Sequence, residues 1–313
     1  MPPPPSNKVA ALQYMLDMRH TALGTLGLRP PLGRDQLRSK IALVTGGTGG
    51  IGLAAAQALA AAGATVHVVG RSEPREAADS DSPGSIVFHR LDLSTLAAAR
   101  QLESTIAREL PPGRKLDVLV QNLACMPNGF ERTSEGHERA LSTNLLTFWR
   151  LGEALHAKMA DDGVVVNVVS AGMHLQRLSC DGLRALDTAE ADYDGVHAYC
   201  VTHRARVLLT KRWAARHPRL RFASVHPGWV ETEGIRNAQA MAGFYSLMSR
   251  TLRTAAAGAD TIAWFVGGPP NVASGSYCWN RAARSIDLPL SGTGSTEADV
   301  DELVGFLRET TAA

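Results

Sequence analysis

No apolar run in this sequence reaches the roughly 18–20 residues needed to cross a bilayer, so no transmembrane helix is expected. Cysteine is scarce and scattered. Cys125, Cys180, Cys200 and Cys278 form no CxxC pair, which excludes a disulfide framework or a thiolate zinc knuckle as the organising device. Free thiols in a reducing compartment are the simplest reading, and no metal site is expected. Nor does one sign of charge dominate: 32 Lys and Arg face 30 Asp and Glu, with no basic run, so no nucleic-acid partner is expected. Residues 1–5 are a proline-rich opening without the charged-then-apolar order of a secretory signal. A cytoplasmic protein is the expectation.

What is present suits an ordinary globular protein, with 45% apolar and 20% charged residues in a chain of 313, long enough to bury a core unaided. Residues 1–39 stand apart as an N-terminal extension. Positions 8–28 read as a helix with Val9, Leu12, Leu16 and Leu23 roughly on one face, and with Lys8, Arg19 and Arg29 against a lone Asp17. Such a segment suits a helix packed on the domain, a mitochondrial targeting peptide or a peripheral membrane contact. Pro30, Pro31 and Gly33 then break the chain before residues 40–313.

From residue 41 onward, short apolar runs alternate with alanine-rich stretches. Strands are expected at 41–44, 65–69, 86–91, 116–120, 164–169, 220–225 and 276–279, and helices at 51–62, 95–110, 135–160, 197–217, 254–266 and 297–309. Continuous Val/Ile/Leu strands separated by helices imply an α/β, single-domain Rossmann fold. Its doubly wound parallel sheet should have about seven strands, with helices on both faces. In such a sheet, ligands gather at the carboxyl ends of the strands.

Between the first strand and first helix lies Thr45-Gly46-Gly47-Thr48-Gly49-Gly50-Ile51-Gly52. Glycines there let the chain turn tightly and approach a pyrophosphate held on helix amides, so dinucleotide binding is expected. Gly47, Gly49 and Gly52 satisfy GxGxxG, while Gly46, Gly50 and Gly52 satisfy TGxxxGxG. After the second strand comes Gly70-Arg71-Ser72, with no carboxylate before Glu73. A carboxylate there would hold a ribose 2′-hydroxyl, whereas Arg71 suits a 2′-phosphate, so NADP(H) is expected in preference to NAD(H).

These residues resemble the short-chain dehydrogenase/reductase family over about residues 40–312. In its second half the chain is similar to the retinol-dehydrogenase-like branch, through Val118-Leu119-Val120, Ala198-Tyr199 and His226-Pro227-Gly228-Trp229. The resemblance implies a cofactor site of Thr45, Gly46, Thr48, Gly50, Ile51, Gly52, Arg71, Ser72, Asp92, Leu93, Asn122, Tyr199, His203, Pro227, Gly228 and Thr232. It implies catalytic roles for Asn144, Ser170, Tyr199 and His203, and a homodimer through the two long helices. Two departures stand out. The family's Asn-Asn-Ala-Gly is here Gln121-Asn122-Leu123-Ala124, and its YxxxK ends in His203 instead of lysine.

Hydride transfer to or from a carbonyl carbon needs a proton at the oxygen. A tyrosine delivers it if a neighbouring cation favours the phenolate. Position 203 lies one helical turn from Tyr199, but an imidazole near its ordinary pKa of about 6.5 is mostly neutral at pH 7.5. Lower activity than a lysine enzyme, or an unusual pH profile, is therefore expected. Ser170 would polarise the carbonyl and Asn144 would serve proton relay. Trp229, Met173, His174 and Leu175 would line the pocket. An apolar lid over 238–252, with Met241, Phe244, Tyr245, Leu247 and Met248, would suit a small lipophilic carbonyl or alcohol. Two other readings compete. A non-catalytic binding protein on the same fold is favoured by His203 and residues 121–124. An epimerase or lyase would require a larger substrate domain than residues 227–313 supply.

Overall fold

The structure, a computed structural model, describes residues 31–74, 81–188, 190–237, 239, 242–243, 246, 249–269, 271–288 and 292–312. The expected helix over 8–28 and the lid residues Met241, Phe244, Tyr245, Leu247 and Met248 lie outside them.

Eight strands form one sheet in the order β3-β2-β1-β4-β5-β6-β7-β8. They are β1 (Ile41–Thr45), β2 (Thr65–Gly70), β3 (Ser85–Arg90), β4 (Leu116–Gln121), β5 (Met159–Val168), β6 (Arg221–Val225), β7 (Ser276–Trp279) and β8 (Ala282–Arg284). All pair in parallel except β7 with β8. The helices are α1 (Gly50–Ala61), α2 (Leu96–Glu109), α3, α4 (Cys180–Leu186), α5 (Gly195–Arg216), α6 (Glu233–Asn237), α7 (Ala255–Val266) and α8 (Glu297–Thr311). Helix α3 runs as α-helix over Arg139–Leu141, π-helix over Ser142–Leu146 and α-helix over Thr147–His156.

Alternate strand residues feed two cores. Leu43, Leu119, Val165 and Phe222 meet α2, α3, α5 and α8 on one face. Val44, Val120, Val166 and Val225 meet α1 and α7 on the other. Both faces being covered is why the strands read as unbroken apolar runs. Trp149 and Trp213 stack at 5.6 Å within the first core, as packing residues. Among the described residues, no helix is long and apolar enough to cross a membrane.

Three expectations need correction. An eighth strand follows β7 through Asn280 and Arg281, both at positive φ (51° and 53°). That is the geometry of a tight primed hairpin turn, which Asn-Arg signals only by half. The helix expected at 135–160 begins only at Arg139, because the carboxylates before it act as caps. Glu135 accepts from the Leu96 and Ala97 amides at 2.6 and 2.8 Å, capping α2. Glu138 accepts from Ala140 and Leu141, both at 2.7 Å, starting α3 itself. At its other end this helix stops at His156, and β5 already begins at Met159. Finally, α4 was not expected; Ser179 caps it by accepting from the Gly182 amide at 3.0 Å.

Candidate active site

The glycine loop joins β1 to α1, and its shape is set by contacts within the loop and with the end of β4. Gly46 takes φ +64°, a left-handed value. A Cβ on Gly52 would collide with the Gly46 carbonyl, so the first turn of α1 packs on the loop as only glycine allows. Asn122 donates through Nδ2 to the carbonyls of Thr45 and Gly46, both at 3.2 Å. Thr45 Oγ1 in turn accepts from the amides of Asn122 and Leu123 at 3.1 and 3.2 Å. Helix α1 has no side-chain cap at Gly49, which leaves its first-turn amides for a phosphate. These features fit a dinucleotide.

The other expected contacts gather along the same edge. Thr48 lies against Gly70 at the end of β2. Arg71 and Ser72 follow, both exposed. Arg90, at the end of β3, donates to the Arg71 carbonyl at 3.4 Å, which puts two guanidinium-bearing residues side by side. Asp92 accepts from the Ser94 amide at 3.1 Å in a turn, and Leu93 is buried. Ile51 packs into the second core. Across the loop, the Thr232 methyl lies 3.4 Å from where a Cβ on Gly50 would stand. Pro227 and Gly228 (φ +83°) are braced by Arg253, which donates to the Pro227 carbonyl at 3.3 Å.

At the carboxyl end of β5, the Ser170 hydroxyl accepts from the Gly172 amide at 3.2 Å and stands near enough to Tyr199 of α5 to favour its phenolate. The Tyr199 and His203 rings are 4.2 Å apart between centroids. The Ser170 backbone N–H donates to His203 Nδ1 at 3.1 Å. A neutral imidazole accepting at Nδ1 carries its proton on Nε2. That buried atom has no hydrogen-bond partner among the described residues. Burial, then the charges of Arg206 and His226, hold His203 well below its ordinary pKa, so it is neutral at physiological pH. Burial pushes Tyr199 up to about 12; the Ser170 hydroxyl and the Arg206 charge act in the opposite direction.

Asn144 sits in the π-helical turn of α3. It pairs with the backbone of Cys125, accepting from its N–H and donating to its carbonyl, each at 2.8 Å, and it donates to Thr202 Oγ1 at 3.4 Å. In this arrangement it anchors the segment after β4 to α5. Extra turns of this kind recur beside functional sites.

Sequence reasoning missed Arg206. It is two turns along α5 from Tyr199 and only 1% exposed. Its guanidinium donates to the carbonyls of Leu123 at 3.1 Å and Gln121 at 3.2 Å, and lies 4.3 Å from the Phe148 ring centroid. Burial brings its pKa down to about 9. The two departures, at residues 121–124 and at position 203, therefore meet at one buried cation. The signal for it was a second arginine at the i, i+4, i+7 spacing from Tyr199 and His203. Leu123 turns its side chain toward the first core, and Gln121 donates to Asn167 at 3.3 Å.

Comparison with known proteins agrees with this geometry. Residues 40–179 match the short chain dehydrogenase family. Dehydrogenase/reductase SDR family member 12 of Bos taurus is 35% identical over 284 residues, 88% of this chain and 87% of that protein. Human retinol dehydrogenase 12 is 30% identical over 72% of each chain. Among solved structures, a short chain dehydrogenase from Burkholderia cenocepacia in complex with NADP superimposes with a TM-score of 0.59, at 21% identity over 79% of this chain and all of the other. One from Shigella flexneri gives 0.58, at 21% identity over 81% and 95%. The chain belongs to the short-chain dehydrogenase/reductase family, in its retinol-dehydrogenase-like branch, and is an oxidoreductase of the CH-OH/C=O type that uses a nicotinamide dinucleotide.

Proposed function

We propose that this oxidoreductase interconverts a lipophilic carbonyl and its alcohol with NADP(H), using Tyr199 as acid and base. The observation that carries the reading is the meeting of Ser170, Tyr199 and His203 at the carboxyl end of β5, along the sheet edge that also carries the glycine loop. A bound nicotinamide supplies or takes up the hydride. The protein's part is the proton. Protonated Tyr199 donates to the carbonyl oxygen in reduction and, as phenolate, accepts the hydroxyl proton in oxidation. Ser170 holds the oxygen by a hydrogen bond. His203 holds the Ser170 backbone beside the Tyr199 ring. Arg206 supplies the positive field that a lysine at position 203 would otherwise bring. Asn144 acts as a positioning residue.

Preference for the 2′-phosphorylated cofactor rests on Arg71 with Arg90 beside it. A lipophilic substrate is supported by the wall after Ser170. Leu175, 44% exposed, is the only large hydrophobic residue among those described that is open to solvent; Met173, expected to line the pocket, is instead fully buried with Val169, Val207 and Tyr277.

Titrating the protein's fluorescence with NADPH and NADH tests the cofactor. NADPH should bind at least ~10-fold more tightly, and Arg71→Ala should remove most of that difference, since a charge-assisted phosphate contact contributes ~1.5–3 kcal/mol. Reduction of medium-chain aldehydes and ketones, followed at the nicotinamide absorbance, then tests the substrate class. If neither nucleotide bound at millimolar concentration, the reading would fail.

A further inference from the structure

Away from the glycine loop, the fold brings together three residues far apart in sequence: His67 in the middle of β2, His89 near the end of β3 and Glu109 in the last turn of α2. In the register of these strands His67 faces Val87, while His89 faces Val69. The two histidines are therefore diagonal neighbours with side chains on one face. Val66 and Val68 point into the core under α1, so His67 points the other way, toward α2. His67 Nδ1 and His89 Nε2 stand 2.8 Å apart, and the rings stack with centroids 5.1 Å apart. Glu109 Oε2 lies 3.7 Å from the first nitrogen and 3.6 Å from the second. Among the described residues, no other group of three His, Cys, Asp or Glu side chains brings its donor atoms this close.

We infer that His67, His89 and Glu109 form a binding site for a divalent transition-metal ion, with zinc the best match. Two imidazoles and a carboxylate are the donor set this ion takes in three-ligand protein sites, with water completing the tetrahedron. Zinc–nitrogen and zinc–oxygen bonds of about 2.0–2.2 Å put tetrahedral donors about 3.3–3.5 Å apart. The two histidine-to-carboxylate separations are already within a few tenths of an ångström of that. The histidine pair has to open by about half an ångström, exchanging its mutual hydrogen bond for two metal bonds; the shared proton moves to the outer nitrogen of its own ring.

The site is also accessible. His67 and His89 side chains are 8% and 10% exposed while that of Glu109 is 35% exposed, so the carboxylate side is the entrance and the place for the water. An ion here would tie the edge strand β3 to β2 and to the end of α2. The three residue steps from His67 to Gly70 span roughly 10 Å of strand, which sets the ion apart from the nucleotide loop. Its role is therefore to brace this sheet edge and not to act in hydride transfer.

Isothermal titration of the chelator-stripped full chain, free of any histidine tag, with zinc chloride tests the inference. One ion per chain should bind with micromolar affinity or tighter, and cobalt in its place should give the intense visible bands of a tetrahedral site. Glu109→Gln, at a half-exposed position where folding is not at risk, should weaken binding about tenfold or more. His89→Ala should abolish it, with far-UV circular dichroism confirming the fold. Absence of saturable binding would overturn the site, as would affinity unchanged in Glu109→Gln. The reading of Tyr199 and the nucleotide would stand in either case, because zinc binding is measured without cofactor or substrate.

Discussion

At the scale of single residues, the substitution of histidine at position 203 changes where the positive charge comes from. His203 is neutral because burial, Arg206 and His226 all disfavour its protonation. It cannot lower the Tyr199 pKa as an ammonium would, whereas the buried guanidinium of Arg206 does act in that sense. The sign follows from which form of tyrosine each direction needs. With Tyr199 pushed up to about 12, the protonated form dominates at pH 7. Carbonyl reduction should be flat from pH 6 to 8, and alcohol oxidation should rise by about tenfold per pH unit toward alkaline pH. Steady-state profiles in both directions check this; a break near 6.5 would mean that His203 titrates and would sink the argument. His203→Lys should raise oxidation at pH 7.5 by roughly tenfold, about 1.4 kcal/mol of barrier, and move the rising limb to lower pH. Replacing Arg206 by Met should move it higher. The places of Ser170, just past β5, and of Tyr199, on α5, were legible from their order along the chain. Arg206 was legible only as a spacing, seven residues on from Tyr199; that its cation is buried without a carboxylate partner is a property of the packed interior.

Elements were legible where one physical signal dominated. Glycines and an apolar strand placed β1, the phosphate loop and α1 to within a residue or two. The long helix was misread at its N-terminal end because Glu135 and Glu138 are favourable helix residues by composition, yet here they cap helices through their carboxylates. The π-helical turn at Ser142–Leu146 was invisible for a related reason: it is held by tertiary contacts of Asn144 with Cys125 and Thr202. The same helix shows how packing overrides propensity. Gly152 lies in its interior, where alanine would ordinarily gain up to about 1 kcal/mol. A Cβ there would stand 2.6 Å from the Trp213 ring, which is stacked on Trp149 and anchored by its indole N–H donating to Glu153 at 2.7 Å. Gly152→Ala should therefore destabilise by roughly 1–3 kcal/mol despite its better helix propensity. Urea denaturation checks this, and an unchanged or higher midpoint would show that Trp213 can move.

For the whole molecule, a net charge near zero conceals an interior dense in titratable groups. His156, His174, His203 and His226 are each 5% exposed or less. Both ring nitrogens of His156 lack a hydrogen-bond partner among the described residues, and the ring is enclosed by Trp213, His217 and Phe222. Burial first, then neighbouring positive or histidine groups, pushes His156 and His226 down to about 3 and His174 to about 4, with His203 also well below its ordinary value. All four are neutral in the fold and regain an ordinary pKa near 6.5 when the chain unfolds. Below 6.5 the unfolded chain therefore binds more protons than the folded one. The stability they contribute is present above 6.5 and is lost as pH falls from there toward 4. At about 1.4 kcal/mol per pH unit for each group, four histidines remove roughly 5 kcal/mol by pH 5.5. That is comparable with the whole stability of many domains, about 5–15 kcal/mol. Carboxylates titrate lower, near 4, so the window from 6.5 to 5.5 isolates the histidines. Denaturant midpoints at pH 7.5, 6.5 and 5.5 should fall with a slope that approaches at least about four protons taken up on unfolding, because burial also lowers His67 and His217. A slope below one proton across that window would mean that these rings are protonated inside the fold. The enclosed neutral imidazoles, and a His203 that leaves charge to Arg206, would then both have to be abandoned.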